Sequence, residues 1–388
     1  MKYDVSHNAE IQAAKAMPTT TSEQRKARYK RMKAIGSLPA TGLGIEYNGD
    51  DAFKKRARRH QAEFRVQTLK INRCLGYGIN LVPEDMKAGK NFYEGFDGLC
   101  MREALKRYPV NGQYLDSNVF GNMLRSEHIP VNLFCPLYNL HPELFAEVMN
   151  RFLDGIIREV TDFKIEHAPG NTYSTDEKGN LIVTNSVEKY TDDHTSFDAY
   201  FEFIDINGRK CAAGIEIKYT EKEYGLAAGS HQEEHVKTLF DVVDGKENLY
   251  YKRTMESGLY NPETLANFND RSITDPQKRT LTMDRYRQFW RNHILGESMV
   301  AKDVQEFDAF YSLLFYPKGN THFEETAKEY SNMLVRKDSF VAKQYEEYTA
   351  VVDDVVRHSS LPESEKLLFQ DWLTYLKDRY EVPAKKWW

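Results

Sequence analysis

Thr195-Ser196-Phe197-Asp198-Ala199-Tyr200-Phe201-Glu202-Phe203-Ile204, a turn at Asn207-Gly208, and Ala213-Gly214-Ile215-Glu216-Ile217-Lys218-Tyr219 decide the fold. Apolar side chains hold the odd positions in both runs, the period-two signal of a half-buried strand. Asn-Gly between two such runs is a strong hairpin signal. Directly opposed residues of an antiparallel pair point to one face, so odd must pair with odd for the apolar faces to coincide. A plain turn at Asn207-Gly208 pairs Ile206 with Arg209 and sets Asp198 against Ile217. A longer loop, Ile206-Asn207-Gly208 with Gly208 left-handed and a bulge, restores the match. Asp205 then pairs with Arg209, and Asp198 falls opposite Glu216. The register predicts Asp198, Glu216 and Lys218 clustered on the polar face of one hairpin. Two carboxylates and an ammonium projecting together suit a hard cation with a proton handler beside it.

Outward from the hairpin, Phe163-Lys164-Ile165-Glu166 reads as a first strand, ended by Ala168-Pro169-Gly170 and followed by a polar insertion. Before it, Leu144, Phe145, Val148, Met149, Phe152, Leu153, Ile156 and Ile157 form the apolar stripe of a helix from about His141 to Glu159. Glu143 and Glu147 lie opposite that stripe and read as solvent-exposed. Residues 224–279 are loop-rich, with short helical pieces. A helix over Met283–Val300 and an apolar strand over Phe307–Tyr316 follow, then two helical segments near 321–358 and 362–380. Residues 1–35 read as helical and charged. The dense basic helix from Phe53 to Arg65 reads either as a phosphate-contacting surface or as a solvated helix with Phe53, Ala57 and Phe64 facing the core. The order helix, three strands, helix, strand predicts an α/β core with a mixed central sheet flanked by helices and helical additions at both ends. The expected regions are a mainly helical 1–129, a core over 130–318 and a helical 319–388.

The chain has 388 residues, of which 41% are hydrophobic and 29% charged, values of a soluble globular protein with ample core. A formal net charge of -5 provides no global attraction to nucleic acid, so such binding must use local basic patches. Cys74, Cys100, Cys135 and Cys211 lie far apart, which indicates neither a disulfide framework nor a zinc knuckle. No stretch is apolar enough to span a bilayer and the amino terminus lacks a signal-peptide core, so a cytoplasmic location is expected.

An acid-x-lysine triplet alone is weak: Asp162-Phe163-Lys164, Asp176-Glu177-Lys178 and Asp244-Gly245-Lys246 share it. Only Glu216-Ile217-Lys218 has apolar neighbours on both sides and a geometrically matched second acid. Like charges directly opposed are destabilising unless something cationic sits between them, which favours a site over an ordinary charged face. His231-Gln232-Glu233-Glu234-His235 spaces histidines like a zinc-protease helix but has Gln232 where that chemistry needs its glutamate base. Tyr219 and Glu221 are explained as well by strand-end packing as by assistance at the site.

With Thr195 to Asp198 and Ala213 to Glu221, the chain resembles the PD-(D/E)XK, or restriction-endonuclease-like, nuclease superfamily. It is most similar to a bacterial group also marked by Asn132-Leu133-Phe134-Cys135-Pro136-Leu137, by Glu166 to Gly170, and by Gln288-Phe289-Trp290-Arg291. The resemblance covers about residues 130–318 and departs from the family pattern at Phe197, where a proline is usual. It implies that Asp198 and Glu216, with the Ile217 carbonyl, ligate Mg²⁺ or Mn²⁺, and that Lys218 orients or deprotonates the attacking water. Glu166 would be an additional acid, or else a strand-end ion pair. Gln288 would touch the phosphate or a metal-bound water, or else be a helix-surface amide. The activity implied is hydrolysis of nucleic acid, with DNA the expected substrate and Arg285, Arg287 and Arg291 as phosphate contacts. A nucleic-acid-binding or assembly protein with little catalysis is the alternative. Strandedness and oligomeric state stay open, a homo-oligomer included.

Overall fold

Asn207 and Gly208 fold the central hairpin as the alternation demands. In the computed structural model, which describes residues 1–108, 115–177, 181–184, 189–191, 195–223, 225–243 and 245–384, Gly208 has φ +81°, the left-handed backbone that the bulged loop requires. The Gly208 N–H donates to Asp205 O at 3.0 Å, and the Asp205 N–H donates to Arg209 O at 3.0 Å. The Asp205 carboxylate accepts from the Asn207 and Arg209 backbone N–H groups at 2.9 and 2.8 Å, tying the loop to its own strand. The ladder runs from Ile204 opposite Lys210 to Ala199 opposite Ile215. One further step sets Asp198 opposite Glu216, the register expected from parity.

The chain forms two compact units, residues 133–370 and residues 1–132 together with the chain from 371 onward. In the first, five strands make a mixed sheet: β1 (Ile157–His167), β2 (Phe197–Asp205), β3 (Lys210–Ile217), β4 (Ala309–Tyr316) and β5 (Phe340–Gln344). Their spatial order is β5-β4-β3-β2-β1, antiparallel across β1-β2-β3 and parallel across β3-β4-β5. The parallel step from β3 to β4 needs a crossover, and the chain between them includes the helix Asp284–Val300. This mixed α/β sheet flanked by helices is a restriction-endonuclease-like core.

Both faces of the sheet are covered. Phe163, Phe201 and Phe315 pack against Phe134, Phe145 and Tyr348 on one side. Tyr200, Ala212 and Phe310 pack against Leu295 and Met299 of the helix Asp284–Val300 on the other. The face expected to be polar is therefore buried beneath that helix, and β3 is buried on both sides from Cys211 to Ile217. Close approach depends on Gly296, where a Cβ would stand 2.0 Å from Phe310 Cε1.

Two expectations are corrected and one is refined. The helix starting near His141 spans Pro142–Asn150 and stops well before Glu159, because Asp154 turns the chain with φ +51° and the Asn150 amide bonds both Ile157 N–H and C=O, at 2.6 and 2.7 Å. Ile157 and Glu159 thus start β1 instead of ending a helix. The segment 321–358 is not one helix: Thr321–Asn332 and Tyr345–His358 flank β5, which pairs in parallel with β4. Residues 1–35 are divided between α1 (Asn8–Lys15) and α2 (Ser22–Gly36).

In the other unit, the basic run forms α3 (Ala52–Gln67), capped by the Asp51 carboxylate on Lys54 N–H. Ala57 and Phe64 are buried, as its amphipathic reading requires, but so are Arg58 and Arg65. Arg65 donates to the carbonyls of Gly78, Ile71, Arg73 and Gly42, and Arg58 pairs with Asp50 at 2.5 Å. Arg59 pairs with Glu63 at 3.2 Å. Much of this helix's positive charge is spent internally.

Candidate active site

Asp198 and Glu216 stand abreast at the same end of β2 and β3. The Ile217 N–H donates to Asp198 Oδ2 at 2.6 Å, and Lys218, two residues past Glu216 and on its face, reaches back so that Nζ lies 2.5 Å from Glu216 Oε1. Glu216 is 5% and Lys218 3% exposed. Burial, reinforced by the Glu216 and Glu166 carboxylates, pushes the Asp198 carboxyl well above its usual range, against the opposing pull of Lys218 and the Ile217 N–H. Lys218 itself is pinned through its backbone. Its N–H donates to Phe315 O at 2.9 Å and its carbonyl accepts from Tyr345 Oη at 2.6 Å.

Gln288 is no surface amide. Its Oε1 accepts from Lys218 Nζ while its Nε2 donates to Glu216 Oε1 at 2.6 Å. Asn292, one turn further along the same helix, donates to Glu216 Oε2. Sequence reading missed Asn292, although its i+4 spacing from Gln288 places both on one helix face. It also missed Asn320 and Tyr345, which hold the Tyr219 and Lys218 carbonyls from elements distant in the chain.

Glu166 sits beside this pair at the end of β1. The ladder that sets Ile165 against Ala199 and His167 against Phe197 leaves Glu166 abreast of Asp198. Its φ is +50°, unusual for a residue with a Cβ. Its Oε2 accepts from Ser196 Oγ at 3.1 Å. The other acid-x-lysine triplets do not form a comparable site. Asp162 and Lys164 make a half-exposed ion pair at 2.6 Å, while Lys178 and Asp244 fall outside the described residues. Glu143 and Glu147 face solvent. Tyr219 is fully buried, and the Glu221 carboxylate caps its N–H at 2.8 Å.

A cleft of about 320 Å³ opens beside Gln288, lined by Ser230, Gln232, Asp284, Arg287 and Arg291. The three arginines expected to contact phosphate are each engaged internally. Arg287 bonds Asp284, Arg291 bonds Tyr250 Oη and Thr195 Oγ1, and Arg285 pairs with Glu329 at 2.7 Å.

Two opposed carboxylates and the neighbouring Ile217 carbonyl form an all-oxygen donor set that suits Mg²⁺ or Mn²⁺ and disfavours zinc. Burial, and then the Glu216 and Glu166 carboxylates, disfavour an ionised Asp198, a cost that a divalent cation would offset. Among the described residues no group of three or more His, Cys, Asp and Glu side chains converges as a metal cage. An ion here would lean on backbone oxygen and water, which Mg²⁺ tolerates well.

The sequence matches the family profile of the PD-(D/E)XK nuclease superfamily over residues 48–381. The chain belongs to the PD-(D/E)XK nuclease superfamily. No curated protein and no solved structure gives a significant match. The superfamily match extends well beyond residues 130–318 at both ends, so it takes in β5 and most of the amino-terminal unit. Among the described residues no helix is long and apolar enough to cross a membrane.

Proposed function

We propose that this member of the superfamily is a Mg²⁺- or Mn²⁺-dependent nuclease that hydrolyses phosphodiester bonds of DNA. The set of half-buried Asp198 with buried Glu216 and Lys218 carries the reading, because opposing two carboxylates in so enclosed a site is costly unless cations offset their charge. Asp198, Glu216 and the Ile217 carbonyl would hold that ion, which when bound supplies Lewis acidity at the scissile phosphate. Lys218, fixed between Glu216 and Gln288, orients the attacking water and offsets charge developing on the phosphate oxygens. Gln288 positions Lys218 with its amide oxygen and Glu216 with its amide nitrogen. Glu166 adds a third acid abreast of Asp198.

Incubation of the purified protein with plasmid DNA and Mg²⁺ tests this directly. Cleavage should require the ion, stop with chelator, and fall by ~10²-fold or more in Lys218→Met. Cleavage undiminished by that substitution removes Lys218 from the chemistry, and cleavage of RNA alone reassigns the substrate. A second reading, a nucleic-acid-binding protein with little catalysis, draws on the engagement of both Glu216 oxygens by Lys218, Gln288 and Asn292. It predicts no Mg²⁺ or Mn²⁺ binding, whereas the nuclease reading predicts binding that Asp198→Ala abolishes.

A further inference from the structure

In α3, Lys55, Arg58 and Arg59 each face an acid, Glu46, Asp50 and Glu63, but the cations of α2 do not. From Ser22 to Gly36 it carries Arg25, Lys26, Arg28, Lys30, Arg31 and Lys33 against the one acid Glu23. Among the described residues no carboxylate lies within ion-pair distance of Lys26, Arg28, Lys30, Arg31 or Lys33, and Arg25 reaches only the Thr20 carbonyl, at 3.5 Å. Lys26 and Lys30 are i,i+4 neighbours, and Arg25 with Arg28 and Lys30 with Lys33 are i,i+3 neighbours. Like charges at those spacings oppose helix formation.

The helix is nonetheless built and anchored. A capping box closes its start: Thr21 Oγ1 accepts from the Gln24 N–H at 3.2 Å and Gln24 Oε1 from the Thr21 N–H at 3.0 Å. Its far end is moored by Ile35, its one buried residue, and by Met32, whose carbonyl accepts from Tyr77 Oη at 3.0 Å. At ~100° per residue, Arg25, Tyr29, Lys33, Lys26 and Lys30 fall in that angular order on one face about 140° wide, with buried Ile35 roughly opposite its centre and half-buried Met32 at its edge beside Arg25. Tyr29 lies within that face and is 71% exposed. An aromatic ring surrounded by four unpaired cations, on a chain of net charge -5, is a local polyanion footprint.

We infer that the Arg25, Lys26, Tyr29, Lys30, Lys33 face of α2 is a docking surface for the sugar-phosphate backbone of nucleic acid, remote in sequence from the candidate active site. The choice of nucleic acid rests on the nuclease reading. An anionic membrane is disfavoured because a helix lying on a bilayer presents an apolar face, and here the only apolar anchors point into the protein.

The test is fluorescence anisotropy of a labelled DNA duplex and a labelled single strand, titrated with full-length protein in EDTA over 50 to 200 mM salt. The comparison is with R25Q/K26Q/K30Q/K33Q, glutamine being nearly as good a helix former as lysine. Unchanged circular dichroism and melting temperature establish that the variant is folded. The variant should bind about ten- to a hundredfold more weakly, with the slope of log K against log salt reduced by about 3 to 4, near 0.9 per lost phosphate contact. Tyr29→Ala should weaken the single strand more than the duplex. Equal affinity and slope in wild type and variant overturn the inference, as does wild-type binding to phosphatidylserine vesicles but to neither nucleic acid. Because the assay contains no metal, it separates from the cleavage test. Helix-dependent binding without Mg²⁺ or Mn²⁺ cleavage sinks the nuclease reading alone, and cleavage with helix-independent binding sinks only this inference.

Discussion

Lys218 bonds an acid and an amide at once, and that double engagement separates two functions that a sequence pattern merges. Removing its ammonium takes one of two donors off Glu216 Oε1, leaving Gln288 Nε2, while removing the group proposed to handle the water. Lys218→Met should therefore keep or tighten Mg²⁺ binding, measured by calorimetry, while cleavage collapses. Asp198→Asn should lose both, and should melt higher than wild type without metal because one of two opposed charges is gone. Weaker ion binding in Lys218→Met than in Asp198→Asn would contradict this division of roles. Glu166 has a different signature. Its left-handed backbone costs a side-chain-bearing residue ~1 kcal/mol or more, so Glu166→Gly should raise stability in urea titrations by up to about that amount while lowering cleavage. Asp198, Glu216 and Lys218 were legible because strand alternation is local, and a hairpin with one allowed parity leaves one register. Nothing local marked Glu166 as strained, and the i+4 spacing of Asn292 from Gln288 marked a shared helix face but not Glu216 as their common partner.

The helix Asp284–Val300 is where that non-local information accumulates. It was recognised from its sequence, yet its contacts were not, since a helix face has no register against a strand until the crossover packs it. Asn292→Ala leaves Glu216 Oε2 without its buried donor and should cost ~1–3 kcal/mol, together with weaker metal binding. Gly296→Ala drives a methyl into the Phe310 ring and should cost at least ~1–3 kcal/mol. A melting temperature equal to wild type would show that the helix can lift off the sheet freely. The same helix carries His293, buried against Tyr330 Oη at 3.2 Å. Burial, helped by Arg336, holds its imidazole down at about 3, whereas an unfolded histidine titrates near ~6.5. The unfolded chain then binds the extra proton between those values, so this histidine's contribution is intact above ~6.5 and erodes as pH falls towards 3. From pH 7 to pH 5, His293→Gln should gain ~2 kcal/mol relative to wild type in denaturant titrations. Parallel pH profiles for the two proteins would rule out a neutral buried imidazole.

At the scale of the whole molecule, the sheet does not end where the strong local signals end. Residues 340–344 supply the fifth strand, and Tyr345 just beyond it holds the Lys218 carbonyl. A fragment 133–318 would leave β4 as an open edge and uncover its apolar face, whereas 133–370 keeps all five strands. The longer fragment should elute as a folded species with a cooperative melt, and the shorter should aggregate. A well-behaved 133–318 would make β5 dispensable. The sequence by itself determined the hairpin, its parity and the acid-acid-lysine set, because period-two alternation and Asn-Gly turn chemistry act between residues close in the chain. Only the tertiary structure decided that this polar face is roofed by a helix, that Gln288 and Asn292 hold Glu216, and that a short strand after residue 318 completes the sheet. Those outcomes depend on burial and pairing between segments about 30 to 130 residues apart, where no local periodicity reaches.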